Sequence, residues 1–186
     1  GYSLKEQSAT LQGAAFAGAA AKAEDPSTIF FNPAGLARLD GYQVSLSGAY
    51  IAPTASFADG VGRRARVLGG TSISGSNSTG DAVGNALLPA GYFSAEINPD
   101  WHLGIALTSP WGMITNYDST WVGRYQAIKS TLRTYNINPV VSYRVNDQVS
   151  LGAGVQFQRL SAHLTNAVDF GAIVLRATIS RRMTTA

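Results

Sequence analysis

Three patterns in the 186-residue sequence assign the chain to the all-β class, as part of a transmembrane antiparallel β-barrel. Apolar and polar residues alternate with period two through five segments. The connections between those segments alternate long and short. Among the residues alternating on the polar side, Glu96 and Arg144 are the only charges.

The first segment, Tyr42 to Ala52, sets Tyr42, Val44, Leu46 and Tyr50 against Gln43, Ser45 and Ser47. Leu88 to Ile97 alternates less cleanly, with Phe93, Ala95 and Ile97 opposing Tyr92, Ser94 and Glu96. Trp101 to Ser109 follows with Trp101, Leu103, Ile105 and Leu107 on one side. Leu132 to Val145 and Gln148 to Gln158 repeat the pattern, the latter with Val149, Leu151, Ala153, Val155 and Phe157. Period two over such lengths means strands with one apolar and one polar face. A tilted strand needs about 9–11 residues to cross the hydrocarbon, and these segments supply them.

Long connections (residues 53–87 and 110–131) alternate with short ones (98–100 and 146–147). Outer-membrane barrels are built this way, with long outer loops and tight periplasmic turns. Asn98-Pro99-Asp100 and Asn146-Asp147 have turn chemistry. Aromatics near the strand ends, Tyr42, Tyr50, Trp101, Trp111, Tyr135, Tyr143 and Phe157, suit interfacial girdles. A soluble sandwich or lipid-binding barrel also alternates, but its water-facing side carries Lys and Glu, whereas here it is Ser, Thr, Gln, Asn and Gly.

Composition excludes other classes. Charged residues make up 13% of the chain, there is no Cys, and the net charge is +3. Disulfide scaffolds and thiol chemistry fall away, and the scattered excess of bases gives no nucleic-acid footprint. Only His102 and His163 offer an imidazole, and no nucleophile elbow or phosphate loop occurs, so neither an enzyme nor a metal or cofactor site is expected. His102 is read as a hydrogen-bonding residue of the periplasmic rim. The apolar stretch Ala14 to Ala21 is too short to span a bilayer and lacks the basic block of a signal peptide, so a mature chain is expected.

Residues 1–41 do not alternate and are expected to form a compact, mostly helical plug on the periplasmic side. Within them Asn32 reads as an N-cap, Pro33 as the first helical residue and Gly41 as the residue past the end. Residues 42–165 are assigned to the first barrel strands, and 166–186 to an unassigned loop or truncated tail.

Specific residues carry a family resemblance. Ala15-Phe16-Ala17-Gly18-Ala19-Ala20-Ala21, Glu24-Asp25-Pro26-Ser27-Thr28 and Phe31-Asn32-Pro33-Ala34-Gly35-Leu36 come first. Leu103-Gly104-Ile105-Ala106, Pro110-Trp111-Gly112, Trp121-Val122-Gly123-Arg124-Tyr125, Ile137 to Val145 and Ser150 to Gly154 follow in order. Over about residues 1–165 the chain resembles FadL-type (OmpP1/FadL/TodX) outer-membrane transporters of hydrophobic compounds. The resemblance implies a fourteen-stranded barrel with an N-terminal hatch, of which this chain is the N-terminal part. It implies passive uptake of long-chain fatty acids or other hydrophobic molecules, with lateral exit into the bilayer at a kinked third strand.

Carried over by motif, Asn32, Pro33 and Ala34 form the hatch element and Trp101 to Ser109 the kinked strand. Gly104 is then either the kink residue or a small lumenal residue leaving room for the plug. Arg159, Arg124 and Lys129 are candidates to meet a fatty-acid carboxylate, or else rim charges meeting lipopolysaccharide phosphates. Phe30, Phe31 and Leu36 either line the pocket or pack the hatch against the wall. The expected partners are a hydrophobic small molecule, outer-membrane lipid and lipopolysaccharide, with a monomeric full-length barrel. The competing reading is a general diffusion porin or a structural outer-membrane protein.

Overall fold

A computed structural model describes residues 3–170 and the backbone of 178–185. The wall is a single antiparallel sheet. In chain order its strands are β1 (Tyr42–Ile51), β2 (Ala86–Glu96), β3 (Trp101–Thr108), β4 (Gly112–Asn116), β5 (Lys129–Arg144), β6 (Ser150–Gly154), β7 (Phe157–Ala167) and β8 (Thr178–Thr185). Neighbours run β1-β2-β3-β5-β7-β8, with β4 continuing β3 and β6 preceding β7 along β5. All five expected segments are strands.

The structure adds to the expectation in two ways. The β4–β5 ladder, from Gly112↔Arg133 to Asn116↔Lys129, extends the sheet into what the hydropathy reads as loop. β8 pairs with β7 from Leu160↔Thr185 to Ala167↔Thr178, so part of the expected tail is a sixth wall strand. Residues 171–177 and Ala186, also within that tail, lie outside the described residues.

Period two sorts the side chains as the alternation requires. Outward stand Val44, Leu46, Phe93, Leu103, Ile105, Leu107 and Ile137, exposed to the extent of 80% for Leu46. Inward and buried stand Tyr92, Ser94, His102, Ala106, Asn136, Asn138, Val140 and Ser142. A water-soluble sheet would reverse this order, because large exposed aliphatic surface is rare on soluble monomers. Aromatic pairs mark the strand ends: Trp101 lies 4.7 Å from Tyr143, and Tyr42 stacks on Phe93 at 6.5 Å. No helix among the described residues is long and apolar enough to cross a membrane.

The N-terminal segment fills the inner side of the sheet. Its elements are α1 (Ala9–Gly13), α2 (Thr28–Phe31) and a 3-10 helix over Pro33–Arg38. The last starts as the sequence requires, with Asn32 Oδ1 accepting from the Ala34 amide and Pro33 opening the first turn. Ile29, Leu36 and Leu39 pack with Ala90, Tyr92, Ala106 and Val140 of the wall in one buried cluster. Burying each such Leu or Ile contributes roughly 1.5–3 kcal/mol.

Candidate functional site

One interruption in the wall sets the site. The β2–β3 ladder ends at Gly91↔Leu107, and β3 leaves β5 after Thr108↔Asn136. Pairing with β5 resumes at Gly112↔Arg133. Ser109, Pro110 and Trp111 therefore oppose only Thr134 and Tyr135, which is a β-bulge and bends the strand. Pro110 has no N–H for a ladder, and Pro89 sits on the β2 side of the gap with the same defect. Buried Thr134 closes the bulge: its hydroxyl accepts from the Trp111 amide at 2.9 Å and donates to the Trp111 carbonyl at 2.7 Å.

A second lapse, between β6 and β7, is of another kind. Val140↔Gly154 and Ile137↔Phe157 keep one register across it. Pro139 simply lacks the donor for one bond, while its carbonyl still accepts from Val155 N at 3.1 Å. The wall is continuous there.

Between Gly91 and an antiparallel bridge at Val83↔Thr115, where Gly84 N donates to Ile114 O at 3.1 Å, the bulge parts β4 from β2, and a cavity of about 360 Å³ opens among Ile51, Leu87, Trp111, Met113, Ile114 and Leu4. Leu4 comes from the N-terminal segment, which lies along the broken edge. Ser3 forms an antiparallel bridge with Trp111, and Leu4 N donates to Pro110 O at 2.9 Å. Gln7, fully buried, fastens this segment. Its side-chain amide donates to Ser109 O at 3.0 Å and accepts from Ser109 N at 3.3 Å, replacing a strand partner. Its backbone carbonyl accepts from Tyr92 Oη at 2.8 Å and Ser47 Oγ at 3.2 Å. Sequence reasoning missed Gln7, because nothing local announces a partner so far along the chain.

The wall grips the 3-10 helix by its carbonyls. Ser142 Oγ and Ser150 Oγ donate to Ala34 O at 3.2 and 3.0 Å, and Arg144 donates to Ala37 O. Glu96 accepts from Gly41 N at 2.7 Å. Gly152 lies so close that any Cβ would overlap the Pro33–Ala34 peptide. Asn32 also donates to Ala20 O at 2.8 Å, tying two parts of the segment together.

The other expected residues fall as follows. Gly104 lies mid-ladder, paired without interruption to Ser94 and Val140, so the bend is not there but at Ser109–Trp111. A Cβ at Gly104 would come within 2.7 Å of Ile29 Cδ1 and 2.8 Å of Leu36 Cδ1, so the missing side chain makes room for the N-terminal segment. Leu36 is wholly buried against the wall, Phe30 packs on the same cluster, and Phe31 pairs with Phe30 at 4.9 Å. None of these three borders the wall cavity. Arg124 is committed to Ser74 O, Trp121 O and the Tyr125 ring. Arg159 stands opposite Tyr135 on the outward face, and Lys129 opens β5 opposite Thr165. None of the three cations lines the wall cavity. His102 is buried on the inner face rather than at a solvated rim. Among the described residues no group of His, Cys, Asp and Glu is placed to hold a metal.

A sheet with an aliphatic exterior, a polar interior and aromatic ends is the wall of an outer-membrane β-barrel. Comparison with known proteins gives its lineage. A family model described as outer membrane protein transport protein (OMPP1/FadL/TodX) matches residues 1–185, and the chain belongs to that family. The long-chain fatty acid transport protein of Escherichia coli K12 is 30% identical over 176 residues, covering 94% of this chain and 37% of the relative. Outer membrane protein P1 of Haemophilus influenzae is 30% identical over 159 residues, covering 83% and 35%. The chain therefore spans little more than a third of the length of these relatives. The crystal structure of a Pseudomonas aeruginosa FadL homologue shares the fold, with a TM-score of 0.78 and 24% identity over 99% of this chain and 48% of that one. Membership places the chain in the bacterial outer membrane.

Proposed function

We propose that the chain forms part of a barrel that takes up long-chain fatty acids or other hydrophobic small molecules passively, and that residues 1–41 act as its hatch. Solute leaves sideways between β2 and β4 into the bilayer. The bulge at Ser109–Trp111, with an apolar cavity behind it and the N-terminal segment Ser3–Gln7 across it, carries this reading. Hydrophobic solutes cross the polar sugar layer of the outer leaflet slowly. A protein path replaces that barrier with apolar lining, and burying ten methylenes at about 0.8 kcal/mol each contributes on the order of 8 kcal/mol. Binding of that strength needs a movable element for release. The segment from Ser3 to Gln7 is such an element, because one isolated bridge and a few polar bonds to Ser109, Pro110, Tyr92 and Ser47 fasten it, without a strand ladder. Outward residues such as Arg159, level with Tyr135, are suited to meet the phosphates of outer-leaflet lipopolysaccharide. The names of the relatives, transport proteins rather than enzymes, favour the same function.

The test uses the lack of Cys in this sequence. Ser3 and Trp111 are bridge partners, close enough for a disulfide. In the Ser3→Cys/Trp111→Cys protein, oxidation is expected to stop oleate uptake and reduction to restore it. Equal uptake in both states would rule out exit at this gap. A large steady conductance in planar bilayers would instead favour a porin.

A further inference from the structure

The outer surface of the wall is not uniform. Along β1, β2 and β3 the outward side chains are aliphatic, aromatic or glycine. Among the described residues of β1–β7, the outward Lys, Arg, Asp and Glu come down to Lys129, Arg133 and Arg159. All three lie on two adjacent strands, β5 and β7, on the face that also carries Tyr135 and Ile137. Arg133 is opposite Ser161, and Arg159 is opposite Tyr135. The two arginines are therefore diagonal neighbours, roughly 7–8 Å apart along the ladder and within reach of each other's long side chains. Lys129, opposite Thr165, stands farther from the membrane on β5, about 14 Å beyond Arg133 at the rise of an antiparallel strand.

The rest of the chain leaves these charges uncompensated. All three residues are exposed, and among the described residues no carboxylate or carbonyl receives their side chains. Other arginines are committed: Arg64 to Asp169, Arg124 to Ser74 O and Arg144 to Ala37 O. Like charges side by side are unfavourable unless an anion lies between them. One step below Tyr135 and Arg159, the pair Ile137↔Phe157 begins the apolar exterior, and Val155 and Leu151 continue it. A ligand for this surface brings anionic groups to the boundary and acyl chains to the wall beneath. The guanidinium fork matches phosphate oxygens in pairs, and the Ser161 hydroxyl beside Arg133 is a further donor. A phospholipid offers one phosphodiester with a single charge. A glycolipid with two phosphates on its sugars and several acyl chains matches both arginines and the apolar column below them.

We propose that Arg133 and Arg159, with Lys129 above them, seat the phosphates of one doubly phosphorylated glycolipid of the outer leaflet, its acyl chains lying along Ile137 and Phe157. The site rests on the reading of Arg159 as a contact for lipopolysaccharide. It gives that contact a second arginine, a stoichiometry of one and a fixed place. Arg133 pairs with Gly112 of β4, which lines the wall cavity, so the glycolipid stands at the flank of the gap.

The experiment uses the full-length protein in detergent, freed of co-purified glycolipid. It is titrated with diphosphoryl lipid A, monophosphoryl lipid A and phosphatidylglycerol, and bound molecules are counted by native mass spectrometry. One diphosphoryl lipid A per barrel is expected, with the monophosphoryl form about tenfold weaker, one charge-assisted contact fewer. Arg133→Gln and Arg159→Gln are each expected to raise the half-saturating concentration of diphosphoryl lipid A about tenfold and to leave phosphatidylglycerol unchanged. Heat-dependent gel mobility verifies that each variant is a folded barrel. Should Arg133→Gln fail to assemble, Arg133→Lys keeps the charge but loses the fork, and is expected to weaken lipid A binding in the same direction. Equal lipid A affinity in the wild type and both glutamine variants would overturn the site while leaving a looser lipopolysaccharide contact standing. Retention of no glycolipid at all would end both readings. A preference for phosphatidylglycerol over lipid A would overturn the site in favour of ordinary phospholipid. Oleate uptake is not the readout, so the result is independent of the disulfide test of the exit route.

Discussion

Gly104 shows how a single absent side chain can be read two ways. Glycine inside a strand marks either a bend or a close approach of something else. The ladder through Gly104 is unbroken, and Ile29 and Leu36 stand where its Cβ would be, so close approach is the answer. Gly104→Val is therefore expected to push the N-terminal segment off the wall, with overpacking on the order of 1–3 kcal/mol. Faster proteolysis of residues 1–41 in an otherwise assembled barrel would register this; unchanged protection would mean that the cluster has slack. Asp118 is a second residue whose environment makes a prediction. The Thr120 hydroxyl and amide both donate to its Oδ1, at 2.6 and 2.7 Å, and hold the carboxyl below its ordinary value. A lowered pKa stabilises the folded loop above the usual aspartate range, about 4, and that contribution is lost as pH falls through the lower folded value. Acid titration of Trp121 fluorescence should show a transition below pH ~4 that Asp118→Asn removes. A transition that survives the substitution would assign it to another group.

Among the elements, the bulged strand depends on one hydroxyl. Thr134 is fully buried and serves Trp111 as both acceptor and donor. Thr134→Val keeps the shape but leaves the Trp111 amide without a partner, costing roughly 1–3 kcal/mol. Hydrogen exchange at Trp111–Met113 is expected to speed up while Leu103–Leu107 stays protected; equal exchange in both proteins would deny Thr134 this role. The same strand marks the limit of what hydropathy reports. Five strands were legible because each has one face in lipid and one on a polar interior. Beyond the membrane both faces meet water, so Lys129, Ser130, Thr131 and Arg133 carry no alternation although they extend β5. β7 runs on past Gln158 for the same reason. The start of the 3-10 helix was legible through Asn32 and Pro33, whose capping chemistry is local. The bulge was not placed correctly, because a register shift depends on the partner strand, and Pro110 alone does not state what Arg133 and Asn136 will pair with.

At the scale of the whole molecule, the sheet makes sense only if its outer surface meets hydrocarbon. Among the described residues β1 pairs only with β2, and β8 only with β7, so two edges await partners before the wall can close; bacterial barrels begin at eight strands. The aliphatic exterior cannot be a protein–protein core in disguise, since it continues around β1, β2, β3 and β5 on one face while the opposite face is already filled by the N-terminal segment. Ile105 sits midway along β3 on that exterior. Arginine there would sit in hydrocarbon and cost about 2–4 kcal/mol near the midplane, falling toward zero at the interfaces. The same substitution on a water-facing surface would change stability by little. Reversible folding of the complete barrel into lipid vesicles, followed by denaturant titration, distinguishes these outcomes for Ile105→Arg. Trp101→Arg, at the strand end, serves as the interfacial reference. The exterior faces lipid if the penalty is large at Ile105 and small at Trp101; equal small penalties at both positions would return this surface to water and remove the basis for lateral exit.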